Sequence, residues 1–416
     1  MILMSAFCLW AQLAQEPGPT PQRAIQEAKA AWAKEGGRIW GRSLAGPLLI
    51  VDPETRRVWA SEPDGGGLFK SEGGAYTGLF PENALTANTV TKWDGKDWIM
   101  LVLPLPNDEK QRTVLYVHEA WHRVQADLGL PMRDSFNAHM DTLDGRYWLQ
   151  LELRALANAL GASKDGKERQ SWVAAALACR QRRRQLFPQA AEAERLLELG
   201  EGLAEYTGLR AAGAKEYLDE RIKSAAKPFA RSFAYYSGPA YGLLLDDKQP
   251  GWTSKVNQGT DISALAQKAY KIAAPTKADA ENAASRLGGA ELWAREEEAE
   301  LQKKQLIAKI TKTFVDGSVL IIPKGFGIQF NPSNTENIEG VGVYHPTATY
   351  MGEWGRLEAS QGSLRRQDWS EARVASPTDP KARPVLGPGW KLDLAPGWCL
   401  EAIGDNGSFK IAKESY

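Results

Sequence analysis

Apolar and polar positions follow two different rhythms along this chain. Between residues 46 and 103, short apolar runs alternate with turn signals. The runs are Gly46-Pro-Leu-Leu-Ile-Val51, Arg57-Val-Trp-Ala60 and Trp98-Ile-Met-Leu-Val-Leu103, with Asp52-Pro53 and Asp94-Gly95 between them. Such punctuation predicts a sheet of four or five strands before residue 107. From Asn107 to about Lys309 the apolar residues recur at helical spacing, most clearly over 108–127, 144–161, 167–186, 190–212 and 289–309. A short Ala-rich helix is expected earlier, over Pro21–Gly36. After Thr311 strand-like runs return, among them Val319-Leu-Ile-Ile322, Gly340-Val-Gly-Val-Tyr344 and Gly389-Trp-Lys-Leu-Asp-Leu394. The expected fold class is α+β. A small sheet and a helical region form one domain over 23–310, and an all-β, sandwich-like domain follows over 311–416.

The apolar block at 1–14 and the Pro-rich linker at 15–22 read as a secretory signal peptide and its exit, although a basic n-region is missing. The expected location is therefore periplasmic or extracellular. No run of 18 or more apolar residues occurs, so no transmembrane helix is expected. Lys and Arg total 51 and Asp and Glu total 51, so no net field would gather polyanions, which argues against a nucleic-acid partner. Cys8, Cys179 and Cys399 are too few and too scattered for a disulfide framework or a thiolate metal site.

Only four histidines occur, and two of them carry the chemistry. In Val114-Leu-Tyr-Val-His118-Glu119-Ala-Trp-His122-Arg-Val-Gln125, the residues Val114, Val117, Trp121 and Val124 form one buried helical stripe. His118 and His122 stand four positions apart, so both imidazoles leave the same face, as two ligands of one tetrahedral Zn2+ must. Glu119 is placed to reach the metal's water without ligating the metal, as a general base and then acid. A third protein ligand is needed, and three residues can supply it: His139 in a loop-like stretch, Glu152 beside an apolar stripe, and Glu201.

The run Leu199-Gly-Glu201-Gly-Leu-Ala-Glu205-Tyr-Thr-Gly208 resembles the glutamate helix of the gluzincins, the thermolysin- and aminopeptidase-N-like zinc peptidases. The resemblance makes Glu201 the third ligand, ahead of Glu152, and Glu205 an acid that orients a zinc histidine from behind. It also implies a zincin-like catalytic domain, a peptide or protein substrate and peptide-bond hydrolysis. Gly200, Gly202 and Ala204 are expected to let this helix approach the HExxH helix closely. The 79 positions from His122 to Glu201 exceed the family interval, so the helices 144–161 and 167–186 must be inserted. Further on, Tyr235-Tyr-Ser-Gly238 before an apolar helix resembles the Tyr-x-x-Gly element of aminopeptidase-N-like enzymes. It places Tyr235, with Tyr236 as the neighbouring alternative, at the tetrahedral oxyanion. The Gly-x-Met-Glu-Asn exopeptidase signature is missing from 95–107. Trp98–Leu103 is nevertheless a candidate edge strand for pairing with an extended peptide.

Three other features read as structural. Arg180-Gln-Arg-Arg-Arg184 suits a solvated helix C-terminus, and Glu296-Glu-Glu-Ala-Glu300 an exposed helix face. Trp354, Trp369, Trp390 and Trp398 are expected to pack the β-domain core. The function expected from all this is an exported zinc hydrolase. The competing class is a zincin-fold binding or scaffold protein of the cell envelope that no longer turns over.

Overall fold

The computed structural model describes residues 18–81, 84–133, 135–225, 227–331 and 334–414. The expected signal peptide at 1–14 and the start of the linker at 15–22 lie outside the described residues. The chain divides into two compact units after Glu296, earlier than the expected boundary at 310. The division falls inside one long helix, Gly289–Phe314, because its last turns pack Ile310 and Phe314 against Ile338 and Leu364 of the second unit.

In the first unit, α1 (Pro21–Glu35) starts on a Thr20 side-chain cap with proline in its first turn. A six-stranded sheet follows, one or two strands larger than expected: β1 (Leu48–Val51), β2 (Arg57–Ala60), β3 (Lys70–Glu72), β4 (Ala75–Leu79), β5 (Thr89–Trp93) and β6 (Lys96–Val102). Its order is β3-β4-β2-β1-β6-β5. β6 is thus an interior strand, parallel to β1 and antiparallel to β5, and the reading of Trp98–Leu103 as an edge strand is corrected. The reason lies in the side chains. Leu48, Ile50, Ile99 and Leu101 enter the main helical core, whereas Leu49, Val51, Trp98 and Met100 fill a smaller core on the opposite face. Strands covered on both faces read as continuous apolar runs.

The helices are α2 (Glu109–Gln125), α3 (Leu143–Gly161), α4 (Lys167–Leu186), α5 (Ala190–Leu197), α6 (Leu203–Ala212), α7 (Lys215–Lys223), α8 (Phe229–Ser232), α9 (Ala234–Lys248), α10 (Ile262–Ala269), α11 (Lys277–Arg286) and α12 (Gly289–Phe314). The helix expected over 190–212 is interrupted by a π-turn at Glu198–Gly202, where an extra residue widens the coil. No helix among the described residues is long and apolar enough to cross a membrane.

Two charged segments read as solvated are buried in part. Arg180 and Arg183 lie in the helical interior, where their partners are discussed below. Glu296 is also buried, bonded to Arg146 (2.8 Å), Lys227 (2.8 Å) and Gln150 (2.8 Å). Burial pushes its carboxyl upward, but hydrogen bonds from Lys227, Gln150 and Arg146 outweigh this and hold it at about 2. A carboxylate depressed on folding stabilises above its unfolded pKa and loses that contribution as pH falls through its folded one. Glu296→Gln should therefore cost about 1–3 kcal/mol at neutral pH. The gap to the parent should shrink between pH 4.5 and about 2, as read from urea midpoints across pH.

The second unit is a β-structure with strands β7 (Val319–Pro323), β8 (Gly327–Phe330), β9 (Glu336–Ile338), β10 (Gly342–His345), β11 (Ala348–Gly352), β12 (Gly355–Ala359), β13 (Ser363–Arg365), β14 (Glu371–Ala375), β15 (Val385–Gly387), β16 (Trp390–Leu394), β17 (Trp398–Ile403) and β18 (Ser408–Lys413). They form a seven-stranded sheet, β17-β18-β7-β14-β13-β10-β9, and a five-stranded one, β15-β16-β12-β11-β8. Leu320, Ile322, Ala372 and Val374 of the first share a core with Tyr350, Leu357, Trp390 and Leu392 of the second. Two sheets facing over a common core make a sandwich. Trp354 and Trp390 are buried and Trp398 is partly so, but Trp369 is half exposed and is not a core residue.

Candidate metal centre

α2 begins where Asp108 caps the Gln111 amide, which fixes the phase of the helix. Val114, Val117, Trp121 and Val124 are all buried in that phase, and His118, Glu119 and His122 emerge beside them. α6 packs across α2 at one glycine. A Cβ on Gly208 would sit 2.6 Å from the Val114 carbonyl oxygen. Gly208, and not Gly200 or Gly202, therefore sets this close approach. Gly202 instead meets Gly238 of α9, where an added Cβ on Gly238 would lie 2.5 Å from the Gly202 Cα. That crossing brings Tyr235 of α9 over the π-turn, and its hydroxyl donates to Glu201 Oε2 at 2.6 Å.

Three donor atoms converge. His118 Nε2 and His122 Nε2 are 3.2 Å apart, and Glu201 Oε2 lies 3.4 Å from each. A tetrahedral ion with bonds of about 2.0–2.1 Å spaces its ligands about 3.3 Å apart, whereas right-angled octahedral neighbours would stand about 2.9 Å apart. These three residues form the candidate metal-binding group among the described residues. The backs of both imidazoles are held. His118 Nδ1 donates to Glu205 Oε2 at 2.9 Å, and His122 Nδ1 donates to Gln125 Oε1 at 2.9 Å. Nδ1 is thereby committed to these acceptors and each Nε2 is aimed at the common point, where a bound metal would take the place of the Nε2 protons that bond Glu201. The Tyr235 ring stacks on the His118 ring, with centroids 5.7 Å apart and planes 3° from parallel.

The charges agree with this geometry. Burial opposes ionisation of Glu201, yet hydrogen bonds and charge from His118 and His122 hold its carboxyl far below the usual range. For Glu205, burial is outweighed first by the Arg221 guanidinium and then by His118, which hold it at about 2. Arg221 forms an ion pair with Glu205, so the chain His118–Glu205–Arg221 runs outward from the site. Burial pushes the Tyr235 hydroxyl well above its ordinary value, and Glu201 adds to this, so it remains a donor. Glu119 is buried and burial raises its carboxyl, against the pull of His118 and His122. No hydrogen bond or ion pair to another described residue engages that carboxylate.

The other candidate ligands are elsewhere. Glu152 is fully buried between Arg180 (2.6 Å), Arg183 (2.6 Å) and Tyr241 (3.0 Å), so its oxygens are committed and it is not a metal ligand. His139 bonds Glu194 Oε1 at 3.1 Å, in the same ionic cluster. Tyr236 turns into the apolar core.

Sequence reasoning missed Gln125, Arg221 and the Arg180–Glu198 pair. Gln125 was within reach of it, since it sits one turn beyond His122 on the same face. The Arg180 guanidinium grips both oxygens of Glu198 (2.8 and 2.5 Å), and Glu198 starts the π-turn that carries Glu201. The chain matches no protein-family model, no curated protein and no solved structure among those compared with it.

Proposed function

We propose that this chain is an exported zinc-dependent hydrolase of gluzincin type that cleaves peptide bonds. The observation that carries the reading is the convergence of His118 Nε2, His122 Nε2 and Glu201 Oε2 at 3.2–3.4 Å. Two imidazoles and one carboxylate, with both Nδ1 atoms anchored, are the donor set of a catalytic zinc that keeps its fourth position open. A zinc ion held there supplies Lewis acidity toward a carbonyl oxygen and makes water acidic enough to attack at neutral pH.

The protein's own groups then have separate tasks. Glu119, whose carboxylate bonds no other described residue, takes the proton of the attacking water and returns it to the leaving amine. Tyr235, kept protonated, would turn its single O–H from Glu201 to the oxyanion that develops on the scissile carbonyl. Glu205 and Gln125 hold the imidazoles in the tautomer that presents Nε2. Export is supported by the apolar block at 1–14.

Metal analysis of the purified chain tests the reading. The parent should hold close to one zinc per chain, and His118→Ala and Glu201→Ala should lose it. Glu205→Gln should keep the ion but bind it about 10–100-fold more weakly, because only the support of His118 is removed. A folded parent without zinc would overturn the proposal. A folded Glu201→Ala that retains full affinity would overturn the ligand assignment.

A further inference from the structure

The β-sandwich unit contains two adjacent basic side chains that are buried without an acidic partner. β10 and β13 pair antiparallel, with His345 opposite Ser363 and Val343 opposite Arg365. Side chains two apart on a strand share a face, and diagonal neighbours across a pair lie within reach of long side chains. His345, Ser363 and Arg365 therefore point the same way. That direction is inward, since Tyr350 of the other sheet bonds Ser363 across the interior (2.9 Å).

His345 is wholly buried, and neither ring nitrogen has a hydrogen-bond partner. Arg365 is 8% exposed; one of its nitrogens bonds the Arg366 carbonyl, but Nε bonds nothing. Among the described residues no carboxylate pairs with it. Every acid on neighbouring β14 and its turn is otherwise occupied: Glu371 with Arg373 and Arg366, Asp368 with the Ser370 amide. Burial, and then the Arg365 charge, push His345 down to about 4. A buried guanidinium whose Nε–H lacks an acceptor, beside a buried imidazole with neither ring nitrogen bonded, is costly, and stacking on an aromatic ring recovers only part of that cost. The ring is Trp369, 3.9 Å from the guanidinium carbon, half exposed and held at φ 60°. Phe326 leans on Trp369 (6.1 Å), and half-exposed Phe330 lies against His345 (4.6 Å).

We infer that His345 and Arg365 form a binding site for an oxyanion, a carboxylate or a phosphate, carried on a group that the Trp369 and Phe330 rings flank. One oxygen accepts from Arg365 Nε–H and another from a ring N–H of His345, which satisfies the groups that the fold leaves without acceptors. Core packing alone gives no reason to place two basic groups side by side on an inner face.

The test uses the full chain. With four histidines in the protein, the His345 ring signals are assigned by their loss in His345→Phe, which also separates them from any response at the HExxH site. Sodium acetate and inorganic phosphate are each titrated at constant ionic strength, set with sodium chloride. One of them should shift the His345 ring nitrogens saturably, and the tighter of the two identifies the ligand as carboxylate or phosphate. In Arg365→Met the same titration should be weakened at least about tenfold. Should that variant fail to fold, the parent titration still decides. Signals that stay fixed in both titrations, or a folded Arg365→Met that responds like the parent, would overturn the site.

Discussion

Arg180→Ala should destabilise the protein by about 3–5 kcal/mol, as expected when one member of a buried ionic cluster is removed and its partners are stranded. Arg180 is 2% exposed and bonds Glu152 on one side and both oxygens of Glu198 on the other. Without it, Glu152 keeps Arg183 and Tyr241, but among the described residues Glu198 keeps only the Ser237 hydroxyl. A buried carboxylate with one hydroxyl for support lies in a poor environment, and Glu198 stands three residues before Glu201 in the same π-turn. The variant should therefore lose metal affinity as well as stability. Arg180→Met with Glu198→Gln removes both charges and should destabilise less than Arg180→Ala alone. Urea unfolding at pH 7 gives the stabilities, and a chelator competition gives the affinities. A loss in the double variant equal to the sum of the losses in Arg180→Met and Glu198→Gln alone would show that the pair is uncoupled. By contrast, the exposed Arg42–Asp127 pair (2.6 Å) should contribute under about 1 kcal/mol.

That cluster shows where reading the sequence stops. The face of α2 was legible because its signals are local: an apolar stripe at helical spacing and two histidines four positions apart. The β-sandwich was legible for the same reason, as strand-like runs between turns. Arg180-Gln-Arg-Arg-Arg184 reads as a solvated helix end by every local rule, yet Arg180 and Arg183 are among the largest fully buried side chains. What decides their fate is Glu152, 28 and 31 positions away, and no local rule supplies that pairing. Glu296 was misread likewise, since its partner Arg146 lies 150 positions earlier. The interior position of β6 depends on a parallel pairing with β1, across a long connection. β3 is exposed throughout and carries no alternation to detect. Glu201 came from a resemblance of motif, and the π-turn that aims it is not written in the 3.6-residue period. Local pattern thus finds the HExxH face, while long-range charge pairing determines how the third donor is held.

Glu119→Gln should lower turnover on peptides by about 10²–10⁴-fold while the metal stays bound. Glutamine keeps the shape of glutamate but cannot accept the proton that the attacking water must lose. The substitution is clean because no other described residue bonds the Glu119 carboxylate, so no partner is stranded. It also replaces a buried acid, raised by burial, with a neutral amide, so thermal stability should stay level or rise. His118→Ala gives the contrasting result: the Nε2 metal donor and the Nδ1 bond to Glu205 both disappear, and metal and activity should fall together. A mixed-peptide assay on zinc-loaded parent and Glu119→Gln, with zinc content measured on the same samples, separates the two functional classes. A large rate difference at equal zinc places Glu119 in the chemistry. Equal rates at equal zinc would mean that the site binds an ion without turning over peptides, and the chain would then be a zinc-binding scaffold and not a hydrolase.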